Sequence, residues 1–467
     1  MNPVSEVSAL PLDLLRTMEV NGPRYTSYPT ADRFVEAFGP DEYGCALAQR
    51  AEGAVVGGPT ALSLYVHIPF CESVCYYCAC NKVVTRHHDR AAAYLKALAT
   101  EVELHQELLG TGAAVSQLHL GGGTPTFLSD AELEQLMATL RGAFRIVAGA
   151  EMSIEVDPRT ANAERLQHWA AMGFNRLSFG VQDFDPDVQR AVNRIQGRDL
   201  VASLIDEARR QQYESINVDL ILGLPCQTRE SFARTIDDVV QQRPDRLALY
   251  TYAHLPQRFK PQRRIDESKI PPAGERLAMQ AHAIETLVSS GYVYIGMDHF
   301  ALPEDALAVA SRQGRLHRNF QGYSTQPDCD LIGLGVSAIG KVGPTYSQNA
   351  KTLDEYYDAL RERRFPVVRG LALERDDLIR RAAIMALMCQ GRLEYESLEL
   401  SHLVDVRRYF AAEFERLQPL QEAGLVEVGP EAVQVTPRGW FFVRAVAMVF
   451  DRHLQTDRAR ERFSRII

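Results

Sequence analysis

Three cysteines fall within one eight-residue run, Cys71-Glu72-Ser73-Val74-Cys75-Tyr76-Tyr77-Cys78. A Cys-x3-Cys-x2-Cys spacing does nothing for a hydrophobic core, but it lets one short loop wrap a compact metal centre. Iron–sulfur clusters are held by cysteine thiolates, normally four of them. Three at ligand spacing leave one iron of a cubane cluster open to a substrate or cofactor, as a catalytic zinc keeps one position free. Zinc is the nearest competitor. Zinc sites usually pair two ligand knuckles, and no second Cys-x2-Cys or His-x3-His pair follows. A structural disulfide fits least, because clustered thiols suit metal in a reducing compartment.

The chain has 467 residues, long for a single domain and suited to two or three. Its net charge of −9 argues against nucleic acid or an anionic membrane as the main partner. The start, MNPVSEVSALPLDLL, has no basic n-region, and no apolar run reaches the roughly 18 residues needed to cross a bilayer. A cytoplasmic protein is expected. The remaining cysteines, Cys45, Cys226, Cys329 and Cys389, are scattered and expected to be small buried hydrophobes.

Residues 1–55 form a leading arm. Within it, Gly22-Pro23-Arg24-Tyr25-Thr26-Ser27-Tyr28-Pro29-Thr30 has two Pro and cannot be a regular helix. It reads first as an arm packed across the main domain, and second as a closing arm that offers Arg24 to a carboxylate. Residues 62–68 read as a buried strand that Pro69 ends, so the cysteine loop sits at its C-terminal end. A helix follows over 90–109. Further strands are expected at 115–120, 151–156, 175–181, 216–222 and 246–252, with helical patterns between them. Ser129 reads as the N-cap of one of these helices. Strands alternating with helices imply a parallel sheet. Six such units predict an α/β fold: a partial (β/α)6 TIM-like barrel, with functional groups at the strand C-termini.

Several polar residues lie at that end. Gly121-Gly122-Gly123-Thr124 follows the second strand, and consecutive Gly permit close backbone approach. Glu155, Gln182 and Asp219 sit at or near later strand ends. Each reads by default as a strand-end group satisfied by its neighbours. Asp219 stands out because burying a carboxylate inside an apolar run costs several kcal/mol without a partner, and ribose hydroxyls would suit. Arg194 reads by default as a solvated surface residue, or else as a clamp on a carboxylate. Residues 258–264 carry four basic groups and read as a solvated loop, with a rim for acidic substrate as the second reading.

Another strand is expected at 292–295. From about residue 364 the pattern turns to helices and a hairpin over 424–436, followed by a helix from Pro437. A mostly helical, winged-helix-like domain over 364–467 is expected beside the barrel and its extension over 56–363. Acidic residues about balance Arg there and Lys is absent, which disfavours DNA binding. A lid or packing domain fits better.

The cysteine run resembles that of the radical S-adenosylmethionine enzymes, and Tyr77 before the last Cys fits their pattern. The resemblance implies a 4Fe–4S cluster on Cys71, Cys75 and Cys78. Its open iron takes S-adenosylmethionine, which is cleaved to methionine and a 5′-deoxyadenosyl radical. Nearly end to end, the chain is similar to the oxygen-independent coproporphyrinogen III oxidase family. The similarity is carried by Arg24 to Thr30, Tyr65-Val66-His67-Ile68-Pro69-Phe70-Cys71, Cys78-Ala79-Cys80-Asn81-Lys82, Gly121 to Thr126 and Glu155-Val156-Asp157-Pro158. It continues through Gly180-Val181-Gln182-Asp183-Phe184, Gly296-Met297-Asp298-His299-Phe300 and His317 to Gly322. Ala79, where the family often has Gly, is a departure without expected consequence.

That resemblance implies two S-adenosylmethionine molecules. Tyr65, Gly122, Glu155 and Ile339 would lie at the first, and Tyr77, Gly123, Thr124, Gln182, Arg194, Asp219 and Ala253 at the second. It implies that two propionates of coproporphyrinogen III become vinyls, giving protoporphyrinogen IX, with an electron donor and an acceptor and with no nucleic acid or membrane partner. A monomer is expected. Cys80, Tyr65 and His67 are the catalytic candidates. Spacing leaves Cys80 open as a fourth ligand, since side chains two apart in an extended chain point the same way. The resemblance argues against that, because a fourth thiolate would block the open iron. A buried structural thiol is the plain alternative. Rival readings are a haem-chaperone relative, a haem-degrading methyltransferase relative, and a zinc-binding regulatory protein acting on DNA.

Overall fold

The computed structural model describes residues 22–53, 61–326 and 329–456. The opening stretch read as lacking a signal peptide, and the expected boundary at residues 55/56, lie outside the described residues. Six strands run parallel: β1 (Leu62–Ile68), β2 (Ala113–Gly122), β3 (Phe144–Val156), β4 (Arg176–Gln182), β5 (Ser215–Leu222) and β6 (Arg246–Thr251). Buried and partly exposed residues alternate along β3 from Ala150, β4 from Leu177 and β5 from Ile216. Leu118, Leu120, Ile154, Phe179, Ile216 and Val218 are buried in the main core. Each such side chain, taken from water, contributes roughly 1.5–3 kcal/mol. The opposite face carries His119, Ser153, Glu155, Ser178, Asn217 and Asp219, which line cavities. A polar inner face is what separates this sheet from a plain packed barrel.

Helices over Asp89–Leu109, Asp130–Ala143, Arg198–Arg210 and Arg229–Gln242 fall between successive strands. The expected Ser129 cap is present as a capping box with Glu132. Among the described residues, no helix is long and apolar enough to cross a membrane.

The sheet does not stop at six strands. On the β6 side, β7 (Val293–Gly296) and β8 (His299–Ala301) add antiparallel, in the order β6-β8-β7. A small hairpin, β9 (His317–Asn319) and β10 (Gly322–Ser324), follows. On the other side, β11 (Leu331–Leu334) lies parallel to β1, with Tyr65 opposite Gly333. Beyond it β12 (Ile339–Val342), β13 (Thr345–Asn349) and β14 (Val367–Ala372) add antiparallel, completing a twelve-stranded sheet. Strand β7 answers the strand expected at 292–295, but the rest of the extension was not legible, because its short strands interrupted by Gly show no readable period. Strand β14 also falls in a stretch that reads as the onset of helices.

The C-terminal part is mostly helical, with a three-stranded wing of β15 (Arg392–Glu394), β16 (Val426–Val428) and β17 (Ala432–Val435). The hairpin expected there is β16–β17, and β15 is its unread third member. The helix expected from Pro437 is instead a 3-10 turn over Gly439–Phe442 leading into Val443–Met448, and the Thr436 hydroxyl accepts from the Gly439 N–H at 2.9 Å. The arm packs across the molecule. Tyr25 and Tyr28 are fully buried, and the Tyr25 hydroxyl donates to Asp451 at 3.0 Å. Arg24 pairs with Asp298 at 3.2 Å, so the first reading of the arm describes it. The scattered cysteines depart from expectation: Cys389 is buried, Cys226 and Cys329 are partly exposed, and Cys45 is exposed.

Candidate active site

Pro69 ends β1, and the chain turns at once into the cysteine loop. Phe70 and Cys71 pair in parallel with Val83 and Val84, closing the loop at its base. Val83 N–H donates to the Pro69 carbonyl at 2.7 Å and Thr85 N–H to the Cys71 carbonyl at 2.9 Å. Lys82 Nζ donates to the Cys78 and Cys80 carbonyls at 3.1 and 3.4 Å. From outside, Asn193 donates to the Val74 carbonyl at 2.8 Å and Gln262 to the Tyr77 carbonyl at 3.0 Å.

The Gly triplet runs beside this base. Gly123 N–H donates to the Ile68 carbonyl and Thr124 N–H to the Phe70 carbonyl. A Cβ on Gly123 would lie 2.5 Å from the Pro69 oxygen, and one on Gly122, at φ +126°, 2.6 Å from the Ile68 oxygen. These glycines are therefore required by the close approach of two backbones of this chain.

A cavity of about 430 Å³ opens at the strand C-termini. Cys71, Cys75, Cys78, Cys80, Tyr77, Gly122, Gly123, Thr124, Glu155, Gln182, Arg194 and Asp219 all line it. Four expected site residues, Tyr65, His67, Ala253 and Ile339, are not among those lining it. The Tyr65 hydroxyl and His67 Nδ1 share a hydrogen bond of 3.1 Å, the Tyr65 ring stacks on His119, and His67 Nε2 meets the Asn81 carbonyl at 2.9 Å. Burial lowers the His67 pKa, keeping the ring neutral. Ala253 accepts from the same Gln262 amide that holds Tyr77. Ile339 lies on β12, its carbonyl against Gly333.

Arg194 is no surface residue: it is 7% exposed. Its Nη1 reaches Cys75 Sγ at 3.5 Å and Asp157 Oδ2 at 3.3 Å, and its Nε donates to the Gly180 carbonyl at 3.1 Å. Arg159 Nη2 also reaches Cys75 Sγ, at 3.8 Å. Burial raises the Asp157 pKa, but Arg194 and Arg159 outweigh it and hold the carboxyl below its usual range. Gly180 leaves room for this arrangement, since a Cβ there would meet Arg194 at 2.9 Å and Gln182 at 3.0 Å.

The carboxylates are held differently. Glu155 takes His119 Nε2 at 3.3 Å and the Gly122 N–H at 3.2 Å. Asp219 accepts from Ser178 and Asn217 at 3.0 and 2.9 Å, and burial, reinforced by Glu155, pushes it up to about 6. Asp157, Arg159, His119, Ser178, Asn217 and Tyr250 were missed from sequence. Polar residues at every second position of apolar strands, and a charged pair directly after a strand end, were the available signals.

The thiols share the cavity without forming a closed cage. Among the described residues, no three His, Cys, Asp or Glu side chains are gathered at metal-ligating distance. The Cys80 thiol bonds Cys78 and, with Lys82 and against burial, brings Cys78 down to about 6; burial and the Cys78 and Cys75 charges push Cys71 up to about 12. Metal ligation requires thiols as thiolates, and a bound cation favours that form. Soft donors of this kind, flanked by two guanidinium groups, fit an iron–sulfur centre. Cys80 is exposed into the cavity, unlike a buried structural thiol.

A parallel sheet with a three-cysteine loop after its first strand has the organisation of the radical S-adenosylmethionine class, and the Radical SAM superfamily model matches residues 65–239. The HemN C-terminal domain model matches residues 373–442. An oxygen-independent coproporphyrinogen III oxidase of Escherichia coli is 48% identical over 98% of this chain and 98% of that protein. One of Pseudomonas aeruginosa is 47% identical over 97% and 98%, and one of Synechocystis 42% identical over 100% and 99%. The solved structure of E. coli coproporphyrinogen III oxidase (HemN), described as a Radical SAM enzyme, superposes with a TM-score of 0.90 at 47% identity, covering 95% of this chain and 99% of that one. The chain belongs to the oxygen-independent coproporphyrinogen III oxidase family.

Proposed function

We propose that the chain carries out the oxidative decarboxylation of two propionates of coproporphyrinogen III to vinyl groups, giving protoporphyrinogen IX without oxygen. The observation that carries this is one cavity gathering Cys71, Cys75 and Cys78 with Cys80, Glu155, Gln182, Arg194 and Asp219. A 4Fe–4S cluster and S-adenosylmethionine, when bound, supply a 5′-deoxyadenosyl radical able to take hydrogen from the propionate β-carbon. In this reading Cys71, Cys75 and Cys78 are the cluster ligands. Glu155, with Gly122, serves a first S-adenosylmethionine beside Tyr65 and Ile339. Asp219 accepts from the ribose of a second, with Tyr77, Gly123, Thr124, Gln182, Arg194 and Ala253 around it. Arg194 and Arg159, fixed on Asp157, keep the Cys75 side of the cavity positive. Cys80 faces the cavity and serves the substrate step, and Tyr65 and His67 hold the loop behind it.

The reading includes an external electron donor and an acceptor, action as a monomer in the cytoplasm, and three parts: an arm (1–55), a barrel with its extension (56–363) and a helical domain (364–467). The test is anaerobic reconstitution and turnover with coproporphyrinogen III. Protoporphyrinogen IX, with 5′-deoxyadenosine and methionine, is expected. A fully reconstituted protein that cleaves S-adenosylmethionine yet leaves the porphyrinogen unchanged would contradict the reading.

A further inference from the structure

We propose that the basic rim on both sides of the cysteine loop docks an acidic one-electron carrier protein, an inference that rests on the proposed function and says where its electron enters. The chain as a whole is acidic, at net −9, yet its charge is inverted around this loop. On one side lie Lys82, bonded to the loop carbonyls, and the exposed Arg86. On the other lie Arg258, Lys260, Arg263 and Arg264, all exposed. This second segment is fastened to the loop. Gln262 donates to the Tyr77 carbonyl at 3.0 Å, and the Arg264 guanidinium lies 5.3 Å from the centre of the Tyr76 ring.

A further base, Lys351, lies beside the loop. Lys351, whose carbonyl accepts from Asn81 at 3.1 Å, has its pKa lowered by partial burial and then by the charges of Arg369 and Arg258. None of Lys82, Arg86, Arg258, Lys260, Arg263 or Arg264 has an ion-pair partner among the described residues. Of the acids nearby, Glu267 pairs with His254 at 2.9 Å and Asp266 accepts from Ser268, while Glu72 on the loop is exposed, so the basic groups outnumber them. Val84, 46% exposed, offers a small apolar centre directly on the strand that pairs with Cys71.

Lys82 and Arg86 also line the cavity, but an acidic substrate does not account for the second side of this rim. Arg258, Lys260, Arg263 and Arg264 are not among the residues lining the cavity into which a propionate must enter. They face outward, where charge steers a macromolecule: electrostatic steering raises association rates by about 10- to 1,000-fold, and transient redox encounters use small interfaces. In the encounter the carrier is oxidised by one electron and the cysteine-held centre reduced by one; no atom crosses the interface.

The test uses reconstituted holoenzyme and, as probe, a reduced bacterial flavodoxin of net negative charge. Calorimetry at low salt should give R258E/K260E an affinity for flavodoxin about 10-fold weaker than wild type. R258Q/K260Q should fall between them, and high salt, which shortens the screening length, should close the gap. In turnover, the flavodoxin KM should rise about 10-fold while dithionite-driven turnover and the KM for coproporphyrinogen III stay at wild-type values. Equal flavodoxin affinity in all three proteins overturns the proposal, as does a raised porphyrinogen KM with flavodoxin binding unchanged. Failure of dithionite-driven turnover in wild type itself would count against the proposed function instead.

Discussion

Asp219 and Cys80 are the residues whose surroundings say most. Asp219 has two donors, Asn217 and Ser178, yet burial and Glu155 leave its pKa near 6. As an acceptor of ribose hydroxyls it works ionised, so S-adenosylmethionine affinity should fall as pH drops through about 6. Asp219→Asn should bind about 10-fold more weakly and show no such pH step, since one charged hydrogen bond is worth about 1.5–3 kcal/mol. Equilibrium dialysis from pH 5 to 8 checks both, and wild-type affinity in Asp219→Ala would reduce the residue to a structural group. Cys80 contacts Cys78 and faces the cavity. Cys80→Ser is expected to keep the iron and sulfide content of wild type while sharply lowering vinyl product. Loss of the cluster in that variant would make Cys80 a ligand after all.

At the level of elements, the join between the β1–loop turn and the Gly triplet positions the thiols. Gly123→Ala sets a Cβ against the Pro69 carbonyl, backbone against backbone, so neither side yields easily. We expect a loss of about 2 kcal/mol in stability together with poorer cluster retention, read by denaturant titration and iron analysis on the same sample. Unchanged stability would mean that the join is loose. The six parallel strands were legible in the sequence because each is an apolar run bounded by turn residues, and Ser129 announced its helix. Strands β11 to β14 were not, because runs such as Leu331–Leu334 are buried throughout and acquire their state from pairing with β1. Tertiary placement likewise hid Arg194. Its local sequence reads as a helix end, and only the fold brings it against Cys75, Asp157 and Gly180.

Across the whole molecule, a buried carboxylate adds to the β1–β11 ladder in tying the sheet extension to the barrel. Glu101, on the helix after the cysteine loop, accepts from Gly335 N–H, Asn349 and Tyr356 at 2.7, 2.6 and 2.6 Å, and burial outweighs these bonds to raise its pKa to about 7. The folded state therefore holds this proton more tightly than the unfolded chain. The contribution of Glu101 to stability should fall as pH rises from about 4.3, the ordinary glutamate value, to about 7. Thermal unfolding across that range should show the slope in wild type and lose it in Glu101→Gln; an identical slope in both would remove Glu101 from this role. The molecule as a whole serves to hold three thiols at one mouth, and that is measured by iron and acid-labile sulfide content, with the visible and electron paramagnetic resonance spectra of the reduced protein. Anaerobically reconstituted wild type and Cys80→Ser should carry a 4Fe–4S cluster whose spectrum shifts on adding S-adenosylmethionine, and Cys71→Ala, Cys75→Ala and Cys78→Ala should each lose it. An intact cluster in any of those three alanine variants, or zinc without sulfide in wild type, would contradict the account.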